Sequence, residues 1–201
     1  VVEGALIYAH AIGAGEIYFA VNCSALQARQ SIEAHLLSAA QRFPGGSLRT
    51  QTKVKPVPDA YIVGEETALL EVIEGREPLP REKPPYPIEA GIDGMPTLVQ
   101  NVETIAHIPY IVERGAQAYR EAGSHGKGLT FCTLGDEFVN AGVHEVSLGT
   151  PLDEILYDLG GGLATGEPIK AIQPGGPSSA FLLPSQFHLP FESKTLMQHG
   201  S

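Results

Sequence analysis

Apolar residues recur at the spacing of an amphipathic helix in several parts of the first 122 residues, and short apolar runs lie between them. The helical pattern covers Val2–Ile12 and residues 24–41, 65–74 and 101–122, the last with a break or kink near Pro109. Runs at Glu16–Asn22 and residues 60–63 predict strands. Residues 43–58, which hold a basic cluster, and the proline-rich residues 78–96 predict irregular structure. This alternation of strands and helices predicts an α/β layer with a parallel sheet.

The pattern changes after residues 123–128, where we place a domain boundary. Apolar runs at residues 129–135 and 142–148 predict two strands of a hairpin. Thr150 and Pro151 predict the N-cap and the first position of a helix, which ends at the glycines of residues 160–162. Residues 168–173 predict another strand. This β-β-α-β order fits a small β-grasp module.

Composition narrows the class of protein. The 201 residues are 43% hydrophobic, enough for one large core or two small ones. A net charge of −10 argues against a nucleic-acid surface held by phosphate contacts. No apolar run approaches the roughly 20 residues of a membrane helix, and no signal segment is visible, so we expect no direct membrane insertion. Cys23 and Cys132 form no CxxC pair, which favours a reduced, cytoplasmic protein. The seven histidines show no metal-ligand spacing, and we predict no metal ligands.

The most informative stretch begins YIVGEETALLEVIEGREPLPREK at residue 61 and runs on into PPYP. It sets Gly64, Glu65 and Glu66 where a strand is predicted to turn into a helix, a place where backbone can approach a nucleotide closely. Lys83 and Tyr86 follow on a stiff proline frame. A tight turn, the favourable charge of a helix N-terminus and packing on prolines explain the same residues without a ligand.

Three motifs carry a family likeness: GEETALLEVIEGREPLPREKPPYP, GMPTLVQNVETIAHIP and PGGPSS. In this order they resemble the flavoprotein subunit of NADH dehydrogenases, which is the FMN- and NADH-binding subunit of respiratory complex I. NAD-linked hydrogenases and formate dehydrogenases have relatives of the same subunit. The likeness covers nearly the whole chain. The apolar pattern is already under way at Val1, which indicates a piece of a longer protein.

The resemblance implies the fold and the domains. Residues 1–124 would form the C-terminal half of a Rossmann-like FMN/NADH-binding α/β domain. Residues 125–185 would form a soluble-ligand-binding β-grasp (ubiquitin-like) domain. Residues 186–201 would lead into a helical domain that holds a [4Fe-4S] cluster and is absent here, as is the family's upstream glycine-rich flavin loop. A cluster of this kind needs four thiolates, and the chain has two cysteines.

The resemblance also implies which residues meet the cofactors. It assigns FMN contacts to six residues: Gly64, Glu65, Glu66, Gln100, Asn101 and Thr104. It assigns NADH contacts to Glu66, Lys83 and Tyr86, with the tyrosine stacking on adenine. Gln100 stands where the family has asparagine, and Tyr86 stands where it has phenylalanine. No catalytic acid or base is implied. The glycines of residues 174–179 are compatible with a ligand-binding nest or with a simple turn.

The activity that the resemblance implies is transfer of a hydride from NADH to FMN, followed by single-electron transfer to iron–sulfur clusters. The implied partners are a thioredoxin-like iron–sulfur subunit and a larger iron–sulfur subunit. Through them the protein would sit peripherally on the inner face of a membrane. Two alternatives stay open: a non-catalytic docking or assembly module, and an FMN-free relative that keeps the fold as a scaffold.

Overall fold

The computed structural model describes residues 1–42, 50–125, 127–176 and 179–200. Parts of three predicted segments lie outside these residues: the basic cluster of residues 43–58, the boundary segment 123–128 and the glycine-rich segment 174–179. The chain divides into two compact units, Val1–Pro109 and Tyr110–Ser201. The domain limits drawn at residues 124 and 185 remain predictions.

The first unit is an α/β layer around two parallel strands. Strand β1 (Glu16–Asn22) pairs with β2 (Gln51–Val57) over seven residues, from Glu16 opposite Gln51 to Asn22 opposite Val57. Helices α1 (Val2–Ile12) and α2 (Leu26–Arg42) flank β1 in the chain. Because side chains alternate along a strand, Phe19 and Val21 share one face of β1, where they pack against Val2 of α1 and Ile32 of α2.

The predicted α1 and β1 are confirmed residue for residue, and α2 begins two residues later than expected. The prediction that residues 43–58 are irregular is wrong for β2. Thr52, Val54 and Pro56 alternate with Lys53 and Lys55, so the strand has period two, but its lysines and proline hid it. Proline is tolerated in an edge strand because it removes only one ladder donor.

The strand predicted at residues 60–63 is wrong as well, because Tyr61–Gly64 forms a short 3-10 helix. The β-branched Ile62 and Val63 suggested extended backbone, but the segment closes its own short-range bonds. Val63 N–H donates to Ala60 O, and Glu65 N–H donates to Ile62 O, both at 3.0 Å. Helix α3 (Glu66–Ile73) follows as predicted, and Gly75, whose φ is +82°, lies just beyond its end.

Residues 101–122 form two helices instead of one. Helix α4 (Val102–Arg114) contains Pro109 without ending there, and α5 (Ala116–Arg120) follows a break at Gly115, whose φ is +87°. A φ in the left-handed region interrupts a helix more completely than a proline, which removes one hydrogen bond and kinks the axis. Helix α4 crosses α1 closely, because a Cβ at Gly4 would lie 2.0 Å from the backbone oxygen of Ile105.

In the second unit, β3 (Leu129–Leu134) and β4 (Gly142–Ser147) form the predicted antiparallel hairpin. A π-helical segment (Glu154–Leu159), a 3-10 helix (Pro184–Gln186) and α6 (Ser193–Gln198) follow. One core groups the buried side chains of Leu152, Leu156, Ile169, Leu182, Phe187 and Leu196. Leu134, Val146 and Ile155 form another. The β-grasp assignment stays a prediction.

Two local predictions in this unit are wrong. The Thr150 hydroxyl donates to Ser147 O at 2.8 Å instead of capping a helix, and Asp153 is the residue that accepts from the Glu154 N–H. Residues 168–173 form no strand beyond a bridge between Ile172 and Leu182. The buried Ile169 and the half-buried Ile172 are three residues apart, which is not the period of a strand. No helix within the described residues is both long and apolar enough to cross a membrane.

Candidate functional site

A cleft of about 290 Å³ opens where β1 and β2 end. It is lined by Asn22 and Val57, the last residues of the two strands, and by Asp59, Tyr61 and Gly64 from the segment that leads to α3. The carboxyl ends of parallel strands are the usual place for a ligand in an open α/β sheet, because the loops that leave the strands there form a crevice.

Gly64 leaves free space at this cleft. A Cβ built on it would meet no atom within 4 Å, and its φ lies outside the left-handed region. Neither backbone conformation nor packing among the described residues therefore requires a glycine at this position. A glycine here does let a ligand approach the backbone more closely than any other residue would.

Glu65 is the N-cap of α3. Its Oε2 accepts from the backbone N–H groups of Thr67 and Ala68, both at 2.8 Å, and from the Thr67 hydroxyl at 2.5 Å. Burial raises the pKa of this carboxyl, but the hydrogen bonds from Thr67 and Ala68 and the Lys83 ammonium outweigh it, so the pKa lies below its ordinary value. The carboxylate is thus ionised and held in one direction.

Lys83 reaches both glutamates that the sequence singled out. Its Nζ lies 2.6 Å from Glu66 Oε1 and 3.3 Å from Glu65 Oε1. The hydrogen bond to Glu66 raises the pKa of the lysine. Burial lowers this pKa in part, and the hydrogen bond to Glu65 raises it further. The peptide bonds Lys83–Pro84 and Pro84–Pro85 are both cis. Tyr86 follows with 52% of its surface exposed.

The segment that carries Lys83, residues 78–83, is called the strap below. Arg81 fastens the strap to α3, because its guanidinium pairs with Glu71 and Glu74 and donates to Gly91 O at 3.1 Å. Arg76 pairs with the same two glutamates from the end of the helix. The hydrogen bond from Arg76, opposed by burial and aided by Arg81, lowers the pKa of Glu71 to about 2.

We expect this cluster to make the first unit acid-sensitive. A carboxyl whose pKa falls on folding stabilises the fold above its ordinary pKa of 4.5, and that contribution is lost as the pH falls toward about 2. Glu71→Gln should lower the Tm by about 3 °C at neutral pH, and the difference from the unsubstituted protein should shrink as the pH falls below 4.5 and vanish only below about pH 2. Thermal unfolding across this pH range measures both. Glu77→Gln, at an exposed carboxylate outside the cluster, is the control; a constant difference for Glu71→Gln at every pH would contradict the assignment.

The second predicted group lies at the start of α4. Asn101 Oδ1 accepts from Glu103 N–H at 2.8 Å, so this side chain caps the N-terminus of α4. Gln100 Nε2 donates to the Tyr8 hydroxyl at 3.3 Å. Asn101 and Thr104 are exposed. Among the described residues, no hydrogen bond or ion pair joins this group to Glu65, Glu66 or Lys83.

Sequence reasoning missed three residues of the cleft. Asn22 Nδ2 donates to Asp59 Oδ1 at 2.7 Å across the ends of the two strands. Tyr61 is 83% exposed although it is aromatic, and it lines the same cleft. The rule that ligands bind at the carboxyl ends of strands could have identified Asn22. Tyr61 was hidden because residues 60–63 were interpreted as a strand, and Asp59 lies just before that segment, where the sequence indicated no element.

Comparison with known proteins places the chain in a family. The model of the Nuo51 FMN-binding domain matches residues 1–110. The chain is 35% identical over 209 residues to a subunit of the NADH-quinone oxidoreductase of Salmonella typhimurium, covering 100% of the chain and 46% of the relative. It is 33% identical over 207 residues to the subunit of the same name in Buchnera aphidicola, covering 100% of the chain and 47% of the relative. The chain therefore spans just under half of the length of these relatives.

A solved structure agrees with these relatives. NAD+-reducing [NiFe]-hydrogenase in its H2-reduced state matches 97% of this chain and 34% of the hydrogenase chain, with a TM-score of 0.82 and 28% sequence identity. The air-oxidized state of an enzyme of the same description matches with a TM-score of 0.78. The family match over residues 1–110 covers β1, β2, the cleft and both groups of predicted contacts. The chain belongs to the Nuo51 FMN-binding domain family.

Proposed function

We propose that this chain is part of an NADH dehydrogenase flavoprotein subunit, in which it binds FMN and NADH. Family membership supports the flavin, and the names of the relatives support NADH as the electron donor. The observation that carries the proposal is Gly64, which leaves open space at a cleft formed by the ends of two parallel strands. Beside it stands a charged cluster of Glu65, Glu66 and Lys83.

The residues present fit a flavin. At the cleft, Gly64 has no side chain to obstruct a planar ring, and Tyr61 supplies an exposed aromatic surface. Glu65 and Glu66 would contact the flavin beside Gly64. The amides of Gln100 and Asn101 and the hydroxyl of Thr104 would donate hydrogen bonds to it from the start of α4. FMN, when bound, supplies the hydride-accepting and single-electron chemistry that no side chain of the protein can perform.

Lys83, Glu66 and Tyr86 are assigned to NADH. The lysine supplies a positive charge for the polar groups of the nucleotide, and Tyr86 has enough exposed ring to stack on adenine. Glu65 and Glu66 hold the ammonium in place before the nucleotide arrives, because both carboxylates lie within 3.3 Å of Nζ. Binding then requires little reordering of the long lysine side chain, which reduces the entropic cost.

The partners follow from the same assignment. The relatives are named as subunits, so we propose that this protein works within a multisubunit oxidoreductase, with a thioredoxin-like and a larger iron–sulfur subunit as electron acceptors. Peripheral attachment to the inner face of a membrane would come through these partners. Cys23 and Cys132 are too few to ligate a [4Fe-4S] cluster, and that cluster is assigned to no residue here.

An FMN titration followed by flavin fluorescence tests the proposal. It compares this chain with a form extended upstream to include the other half of the flavin domain that the resemblance implies, because the chain matches only 46% of the Salmonella protein. We expect quenching in the extended form, together with oxidation of added NADH. Quenching without NADH oxidation would support the FMN site but contradict the proposal that NADH is the electron donor. No quenching in either form would favour a docking or scaffold role instead.

A further inference from the structure

The strap contacts the first turn of α3 at the buried Thr67. Thr67 is only 1% exposed, and its hydroxyl makes two hydrogen bonds. It donates to Glu65 Oε2 at 2.5 Å and accepts from the backbone N–H of Arg81 at 2.8 Å. A hydroxyl has one proton to donate and lone pairs that accept. Here the proton is donated to the Glu65 carboxylate, and a lone pair accepts from the backbone of the strap.

We propose that Thr67 is a positioning residue whose hydroxyl holds the strap against Glu65, so that Lys83 lies between the two glutamates. The proposal rests on the proposed function, since it concerns the residue that would meet NADH. Lys83 is two residues beyond Arg81, and its Nζ approaches the free Oε1 of the same Glu65 carboxylate whose Oε2 Thr67 holds. One hydroxyl therefore orients both the carboxylate and the backbone that carries the ammonium.

The ion pairs of Arg81 do not make this contact redundant. The ion pairs to Glu71 and Glu74 and the hydrogen bond to Gly91 O fasten the guanidinium, which is the end of a long, flexible side chain. The bond from the Arg81 N–H holds the backbone itself, from which the position of Lys83 follows. Without the Thr67 hydroxyl, this N–H has no protein acceptor among its described contacts, which is unfavourable for a partly buried donor.

Two substitutions separate positioning from simple stability. Thr67→Val keeps a branched side chain of about the same size but removes both hydrogen bonds of the hydroxyl, and Thr67→Ser keeps the hydroxyl. We expect the Val variant to bind NADH about 10-fold more weakly, as for a lost hydrogen bond to a charged group, and the Ser variant to bind it within about twofold of the starting protein. Thr150→Val, which removes a hydroxyl bond to Ser147 O in the second unit, is the matched control.

The measurement is NADH calorimetry on the extended form of the protein in two backgrounds, with Lys83 present and with Lys83→Met. If Thr67 acts through Lys83, the Val substitution should weaken binding only where the lysine is present. An equal loss in both backgrounds would overturn the proposal. If Lys83→Met alone leaves NADH binding unchanged, the assignment of Lys83 to NADH fails, which is a failure of the proposed function and not of the strap.

Hydrogen exchange without bound nucleotide tests whether Thr67 holds the strap, independently of NADH binding. The Arg81 amide should exchange its hydrogen at least about 10-fold faster in Thr67→Val than in Thr67→Ser, because only the serine retains its acceptor. NMR of the extended form of the protein measures this rate residue by residue. Equal rates in the two variants would show that Thr67 does not hold the strap, whatever the NADH affinities are.

Discussion

Gly64→Ala should weaken FMN binding by about 100-fold, or about 2.8 kcal/mol, while the stability of the protein stays unchanged. A Cβ at this position meets no protein atom within 4 Å, and the φ of Gly64 is one that alanine adopts without strain. The methyl group would therefore occupy only space that the proposal gives to the flavin. A ring displaced by about 1 Å loses the alignment of its other hydrogen bonds, which explains the size of the effect.

Flavin fluorescence titration of the extended form gives the FMN affinity, and thermal unfolding of the same form without FMN gives the stability. Gly15→Ala is the matched control, because Gly15 also has no neighbour within 4 Å of a Cβ and no left-handed φ, but it does not line the cleft. We expect it to bind FMN normally. A Gly64→Ala protein with unchanged affinity would place the flavin elsewhere, and one with a lower Tm would show that the glycine serves the fold.

Local sequence was sufficient to predict the candidate site where the interacting residues lie within one short segment. Glu65 and Glu66 were expected at the start of a helix, and α3 begins there with Glu65 as its cap. The contact of Lys83 with both glutamates joins residues only 17 and 18 positions apart, within one motif of the family. Because the resemblance came from whole motifs, it identified the family that the comparison confirms.

Long-range contacts could not be predicted from the same information. The bond of Gln100 to Tyr8 spans 92 positions, and the bond of Asn22 to Asp59 depends on β2, which the sequence did not reveal. Thr67 was interpreted only as part of a motif, since nothing in a helical pattern indicates that a buried threonine accepts from a strap 14 residues later. Tertiary packing determines which residues become hydrogen-bond partners here, and the pattern of a single sequence does not reveal that packing.

Gly4→Ala should destabilise the first unit by about 2 kcal/mol, although alanine is the better helix former. Replacing glycine within α1 would by itself stabilise the helix by up to about 1 kcal/mol. The added Cβ, however, would lie 2.0 Å from the backbone oxygen of Ile105 and 3.2 Å from the ring of Pro109. No rotamer change relieves a contact with backbone, so α1 and α4 must separate, at a cost of about 3 kcal/mol.

The sign of this change makes the test decisive. Thermal unfolding should show a Tm lower by about 10 °C for Gly4→Ala, and Gly4→Ser should lower it at least as much. Gly15→Ala is again the control, with no loss expected. An increase in Tm would mean that only helix propensity matters at residue 4 and that α4 does not pack this closely.

Because α4 carries Asn101 just before its first turn and Thr104 within it, the Gly4→Ala protein should also bind FMN more weakly. The same crossing of two helices would then support both the fold and the second group of flavin contacts.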